Sequence, residues 1–354
     1  MPPPRVLLIG HYSPPRGGVQ AHVTALREYL LKQGVACEVI DLSPNRRSEG
    51  AGVYGPTNGL NVARLLLTLR YDVAHLHFGG RLHPRLVLLT LLAGLLPGRK
   101  AVLTFHSGGY PSSPEGRATG PRSLRGFALR RLDRVIAVNE EIAAWFRQVG
   151  VEADRIRIIC PYALPAGPPA AEPPEPLRSF LEKHSPVLVS VGGLEREYDP
   201  LLQLEALGRL REKFPTAGLV LVGAGSLREE LRRRADEGPY GEHVLLCGDV
   251  GREVALRVIA DSDLMLRTTL YDGDSIAVRE AVHFGVPVVA TDRAPRPEGV
   301  SVVPAQDLAR LCEAAEQCLS GGARRPPAGE PREENLEALR ALYEELAGEM
   351  MNAE

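Results

Sequence analysis

Aromatic side chains make up only 5% of the 354 residues, with a single tryptophan, and no basic run has aromatics interleaved. A cationic groove with stacking platforms, the signature of nucleic-acid binding, is therefore not expected. Cysteine is equally scarce. Cys37, Cys160, Cys247, Cys312 and Cys318 form no C-x-x-C pair and no metal-ligand spacing, and an odd, scattered set fits reduced thiols in a cytosolic protein better than a disulfide framework. No long hydrophobic run exists. The longest, LVLLTLLAGLLPG at 86–98, falls short of the roughly 20 residues that span a bilayer. Arg81, Arg85, Arg99 and Lys100 flank it, which leaves a buried helix or a surface that touches membrane. The opening MPPPRVLLIGHY has too short an apolar stretch for a secretory signal and reads as a first buried strand. The G-x-G-x-x-G fingerprint is missing, which disfavours a nicotinamide cofactor.

What is present is ordinary in bulk and uneven in distribution. Hydrophobic content of 44% and charged content of 24% suit a soluble chain long enough for two cores. The net charge of −2 conceals a polarity: residues 1–160 carry 21 Lys and Arg against 11 acids, the remainder 21 against 33. Such opposition indicates two domains with different partners, or halves whose charges face each other. The basic half favours an anionic partner such as a phosphorylated lipid or a membrane surface.

The rhythm along the chain supports that division. VLLIG, ACEVIDL, VAHLHF, AVLTFH and RVIAVN are apolar strand-like runs separated by helical patterns, the pattern of a parallel, doubly wound sheet. Seven prolines between 161 and 180 interrupt it with an extended, semi-stiff stretch. PVLVSVGG, GLVLVGAG, HVLLCGDV, DLMLR and VPVVATD then begin a second series. The boundaries read as an N-terminal Rossmann-like domain over 1–160, a linker over 161–185, a second Rossmann-like domain over 186–320, and a linker with a helix over 321–354. Two such α/β domains imply a cleft between them, where strand C-terminal ends place ligands.

The most informative stretch is RTTLYDGDSIAVREAVHFGVPVVATD, 267–292. Asp272 sits in a Gly-containing loop, and Glu280 follows eight positions later in a helix. Asp274 or Ser275 is a natural N-cap, Gly273 permits unusual backbone angles, and the free amides there would cradle a diphosphate. Glu280 is placed to accept hydrogen bonds from ribose hydroxyls, and Asp272 to hold a sugar hydroxyl or offset charge at an anomeric carbon. The pattern suits a sugar nucleotide. Gly17 and Gly18 follow the first strand and suit either close backbone approach to a ligand or a tight turn alone. His106 ends a strand in LTFHSGGY, either as a donor to a sugar or phosphate oxygen or as a structural residue. His75 and His77 read as alternating to opposite strand faces, against a shared metal site. The triplets Asp261/Asp263 and Asp272/Asp274 match D-x-D, a low-specificity pattern that capping and strand entry explain better than a metal.

These residues resemble the family 4 retaining glycosyltransferases of two-domain GT-B architecture, along nearly the whole chain. RVLLIGHYSPPRGGVQAHV, DVAHLHF, VLTFHSG, DRVIAVNEEI, GLVLVGAGSLREEL and DGDSIAVREAVHFGVPVVATD carry the likeness; the last is similar to the family's E-x7-E motif, and the run to RAPRPEGV is closest to members that build bacterial surface polysaccharides. The resemblance implies a UDP- or GDP-linked sugar donor, no metal or other cofactor, and a glycan or lipid-linked acceptor. Glu280 would bind the ribose; Gly273, Asp274, Ser275 and Ile276 would meet donor sugar and diphosphate; Gly17 and Gly18 would line the phosphate and acceptor side; His106 would contact the sugar. It implies a cytosolic enzyme, with peripheral membrane contact through its basic half, that retains anomeric configuration by a front-face route. Three departures stand out. Asp272 replaces the motif's first Glu. Gly193 and Tyr198 stand where the family has the Arg and Lys of G-R-x4-K, with Arg196 or Arg267 as candidate substitutes. CPYALP replaces the N-G segment. A catalytically impaired scaffold or binding subunit is the alternative reading, and a sugar-nucleotide epimerase on a similar fold the third.

Overall fold

The computed structural model describes residues 3–12, 18–43, 50–162, 164–165, 167–238, 240–321 and 332–351. They fall into two compact units, Met1–Ala163 with Glu333–Glu354, and Leu164–Arg332.

In unit 1, β1 (Val6–Gly10), β2 (Cys37–Asp41), β3 (Val53–Tyr54), β4 (Val73–Phe78), β5 (Lys100–Phe105), β6 (Arg134–Ala137) and β7 (Ile156–Ile158) form one sheet in the order β3-β2-β1-β4-β5-β6-β7. Every pairing is parallel, so each connection must cross over, and helices cover both faces. The period-two split of the strands sorts the core accordingly. Leu7, Ile9, Leu76 and Leu103 pack toward one face together with Leu66, Leu89, Leu129 and Phe146 from the helices there. Val6, Leu8, Val73 and Val102 pack toward the other, under helices Gly18–Lys32 and Glu334–Met351. That last helix is anchored by Tyr343, whose hydroxyl lies 2.5 Å from His75 Nδ1, and by Glu345 and Glu349, which pair with Arg134 at 2.7 and 2.6 Å.

In unit 2, β8 (Val187–Val191), β9 (Gly218–Val222), β10 (Val244–Gly248), β11 (Leu264–Arg267), β12 (Val288–Thr291) and β13 (Ser301–Val303) form a second parallel sheet, ordered β10-β9-β8-β11-β12-β13. Chain order reverses between β8 and β11, the point where open α/β sheets hold ligands at their strand C-terminal ends.

Two doubly wound parallel sheets were legible in the sequence; β3, β7 and β13, each of two or three residues, are too short to register as periodic patterns. The proline-rich 161–185 is more than a tether. Leu164 pairs antiparallel with Arg332, and helix Leu177–Lys183 buries Leu177 and Phe180 in the unit 2 core. The apolar run 86–98 becomes helix Pro84–Leu95, with Val87, Leu89 and Ala93 buried but Leu88 and Leu95 exposed. Among the described residues no helix is long and apolar enough to cross a membrane.

Candidate functional site

β11 is a fully buried strand that ends on Arg267, and a guanidinium there must be paired to be tolerated. Its Nε and Nη2 donate to Asp272 Oδ2 and Oδ1 at 3.0 and 3.2 Å, and Nη1 donates to Val191 O at 3.0 Å, bridging the C-terminal ends of β11 and β8. A second arginine completes the cluster. Arg296 Nη1 donates to Asp272 Oδ2 at 3.0 Å, Nε to Thr291 O at 3.1 Å and Nη2 to Thr269 Oγ1 at 3.3 Å. Burial alone would raise the Asp272 pKa, but the two arginines outweigh it and hold the carboxyl below its ordinary range. Asp272 is thus brought to the site with both oxygens engaged, Oδ1 accepting also from Gly273 N at 3.0 Å. Two buried cations against one carboxylate leave one surplus positive charge.

The helix Ile276–His283 starts where the motif predicts. Ser275 is its cap, its hydroxyl accepting from Val278 N at 3.4 Å; Asp274 instead receives Arg279 Nε at 2.7 Å. Glu280 lies on the buried face of this helix, 4% exposed. Arg252 Nη1 pairs with its Oε1 at 2.8 Å, leaving that carboxylate lone pairs to spare. Burial raises the Glu280 pKa, with Arg252 and then His283 opposing. Such a group waits for hydroxyl donors.

The loops after β8 and β9 pack closely beside Arg267. A Cβ on Gly192 would fall 2.7 Å from the Tyr198 ring and 3.1 Å from Arg267 Nη1, and one on Gly223, at φ +135°, only 2.0 Å from Gly192 O. Only glycine permits this approach. The Arg267 guanidinium stacks over Tyr198, 4.9 Å from the ring centre. Arg196 lies in the neighbouring turn Arg196–Tyr198 and is exposed; the structure gives it no place in the Asp272 cluster, whereas Arg296, unforeseen from sequence, has one.

In unit 1, His106 follows β5 and is half-buried. It belongs to a cluster: its Nε2 is 3.4 Å from His77 Nδ1, and the His22 ring centre lies 5.4 Å from that of His77 and 5.5 Å from that of His106. His75 and His77 do not point to opposite faces as expected; their ring centres are 4.0 Å apart, because residues two apart on a strand share a face. Burial keeps all four imidazoles neutral and mutual repulsion adds to it for His75, His77 and His106; His22 is pushed down to about 4. Gly18 opens the helix that carries His22, and Gly17 lies outside the described residues.

Two family models match the chain: Glycosyltransferase Family 4 over residues 16–161 and Glycosyl transferases group 1 over 185–321, in units 1 and 2 respectively. The chain belongs to the family 4 glycosyltransferases. It is 26% identical over 159 residues to the Vi polysaccharide biosynthesis protein VipC/TviE of Salmonella typhi, covering 44% of this chain and 27% of that protein. It is also 26% identical over 121 residues to the glycosyltransferase MJ1059 of Methanocaldococcus jannaschii, covering 34% of this chain and 29% of that one. The chain thus spans under a third of the curated relatives it matches. Anabaena Alr3699/HepE, solved in complex with UDP-glucose, superposes with a TM-score of 0.70 over 99% of both chains at 15% identity, which shows the GT-B fold.

As a family 4 glycosyltransferase the chain is unusual in its cations. Gly193 and Tyr198 leave the positions of the family's Arg and Lys without charge; Arg267 stands over Tyr198 from the end of β11, and Arg296, beyond β12, joins it at Asp272. Neither D-x-D triplet gathers a metal site. Asp261 pairs with Arg257 at 2.7 Å and Asp263 Oδ2 accepts from Val187 N at 2.7 Å, and no cluster of three His, Cys, Asp or Glu able to hold a metal occurs among the described residues.

Proposed function

We propose that this glycosyltransferase moves a hexose from a UDP- or GDP-linked donor onto a glycan or lipid-linked acceptor in surface polysaccharide assembly, with retention of anomeric configuration and without a metal. The observation that carries it is Glu280: a buried carboxylate on the helix after the Asp272 loop, paired with Arg252 through one oxygen and with lone pairs to spare. Ribose hydroxyls would donate to its remaining lone pairs. The amides of Gly273 to Ile276 at the start of that helix would receive the diphosphate. Arg267 and Arg296, with their surplus positive charge, would balance the leaving group in place of the family's Arg and Lys.

In this reading Asp272 is a positioning residue, since its oxygens hold the two guanidinium groups. The donor C1–O bond to phosphate breaks as the acceptor oxygen bonds to C1 on the same face, and the acceptor proton passes to the departing phosphate oxygen. The protein contributes placement and charge, with His106, neutral at pH 7, as a hydrogen-bond partner for the sugar. The UDP-glucose complex of Anabaena HepE and the polysaccharide role named for VipC/TviE support the donor class and the setting.

Calorimetric titration of UDP and GDP, with and without EDTA, tests the reading. One nucleotide should bind irrespective of metal, and Glu280→Ala should lose at least tenfold in affinity. The missing Arg and Lys favour a second reading, a binding or scaffold subunit of an assembly complex. It gains if nucleotide binds tightly yet no sugar is transferred or hydrolysed with any acceptor offered.

A further inference from the structure

Asp274 is a strange residue to find in a turn that receives phosphate. It lies just before helix Ile276–His283, in the stretch where the reading above puts the diphosphate. A phosphate held by the amides of this turn comes within several ångströms of the Asp274 carboxyl, which stands only two bonds from its own Cα. Like charges so close repel. The usual reason for an aspartate at a helix start is capping, but Ser275 has that task, its hydroxyl accepting from Val278 N at 3.4 Å. Capping therefore does not account for Asp274.

What Asp274 does hold is Arg279. From the first turns of the helix this side chain folds back toward the helix start, and its Nε donates to Asp274 Oδ1 at 2.7 Å and to Oδ2 at 2.8 Å. The Asp274 side chain is 5% exposed and that of Arg279 23%, so the carboxylate is fixed while the guanidinium keeps a way out to solvent. Asp274 also attracts Arg296 through space. Arg267, Arg279 and Arg296 against Asp272 and Asp274 leave a single positive surplus beside the turn. A bound nucleotide-sugar carries one negative charge on each of its two phosphates. The nucleoside diphosphate left after transfer takes a third, because its terminal phosphate ionises a second time at about pH 6. The cluster thus falls one charge short of the donor and two short of the product.

We propose that Asp274 distinguishes product from donor by charge. Its carboxylate withholds Arg279 from the phosphates, so the nucleotide-sugar binds while the grip on the more highly charged nucleoside diphosphate is loosened. The proposal rests on the donor-site reading above and deepens it, by assigning product release to this turn. Arg279 has the converse role. Paired with Asp274, it screens the donor from the carboxylate; released from it, it is a third cation able to reach the same turn. The two members of one ion pair therefore pull nucleotide affinity in opposite directions. A pair that only fixed the helix start would behave otherwise, because losing either member would disturb both ligands alike.

The test is calorimetry on the full chain, comparing UDP with UDP-glucose and GDP with GDP-glucose at pH 7.5 (well above the roughly pH 6 of the second phosphate ionisation). The change on mutation is the readout, so the sugar need not be the natural one. Asp274→Asn should tighten the free diphosphate by roughly tenfold or more, the effect of one charge several ångströms away in a partly buried site, and the sugar ester by less. Arg279→Ala should weaken both ligands, the diphosphate more. The double variant should return diphosphate affinity toward that of the wild type, as coupled partners do. Circular dichroism verifies folding; should Arg279→Ala fail to fold, Arg279→Gln, which keeps most of the side chain, serves in its place. Weaker diphosphate binding by Asp274→Asn, or an equal shift for diphosphate and sugar ester, would overturn the proposal while leaving the donor site standing. No binding of any of the four ligands by wild type or variants would sink the donor assignment and this role with it.

Discussion

Glu280 and Asp272 come from one motif, yet their environments assign them opposite tasks. Glu280 is a carboxylate that burial drives toward its neutral form, so the empty protein bears a cost for keeping it charged at neutral pH. With the folded pKa raised, that cost grows as pH rises from the unfolded value, about 4.3, through the folded one. Glu280→Gln should therefore raise the unfolding temperature at pH 7 while lowering nucleotide affinity; a parallel fall in both would refute the storage of strain at this residue. Asp272 is held in the opposite direction, and its two arginines depend on it. Asp272→Ala leaves two buried cations without their counter-ion, a loss of roughly 3–5 kcal/mol, read by urea unfolding. Arg296→Ala should spare nucleoside binding and weaken nucleoside diphosphate about tenfold or more, by calorimetry; equal losses for both ligands would remove Arg296 from the phosphate site. Arg296 was invisible in the sequence because it lies 24 positions from Asp272, and only the return of the chain after β12 brings them together. Glu280 was visible because the loop and helix start that make its motif lie next to it in sequence; its partner Arg252 was not.

At the scale of elements, the long apolar strands and the helix after the Asp272 loop were legible, since period and capping are local signals. The role of Glu334–Met351 was not. Its amphipathic pattern announces a helix but says nothing of which sheet it covers, and the answer depends on Tyr343 meeting His75 across 268 residues. Tyr343 is fully buried, so Tyr343→Ala should cost roughly 3–5 kcal/mol and loosen unit 1. Hydrogen exchange that rises in β4 and in Gly18–Lys32 while unit 2 stays protected is the expected pattern; uniform loss across both units would mean the helix is not specific to unit 1. The histidine strand illustrates the opposite failure. VAHLHF was correctly a strand, but the facing of His75 and His77 was read wrongly, and with it a buried cluster was missed.

On the whole-molecule scale, the two units should respond differently to acid. Four imidazoles in unit 1 are held neutral, with pKa values below the ordinary value of about 6.5. The unfolded chain takes up protons there that the folded unit refuses. Stability is therefore whole above about pH 6.5 and falls as pH drops toward 4, each histidine contributing up to about 1.4 kcal/mol per pH unit. The Asp272 cluster keeps its stabilisation throughout that window and loses it only below about pH 4. Urea unfolding at pH 7 and pH 5, followed by the single Trp145 of unit 1, should show a marked loss. A midpoint independent of pH would mean that the cluster takes up its protons without resistance.

The pairing of Leu164 with Arg332 brings the start and finish of unit 2 side by side, and unit 1 resumes at Glu333. Unit 2 is thereby an insertion within unit 1. During translation the sheet of unit 1 is made early but lacks its covering helix until the whole of unit 2 has followed. The order of synthesis and the order of completion are inverted: the second unit can finish first, and until then the hydroxyl that meets His75 is absent and the part of that face not covered by Gly18–Lys32 stays open to chaperones.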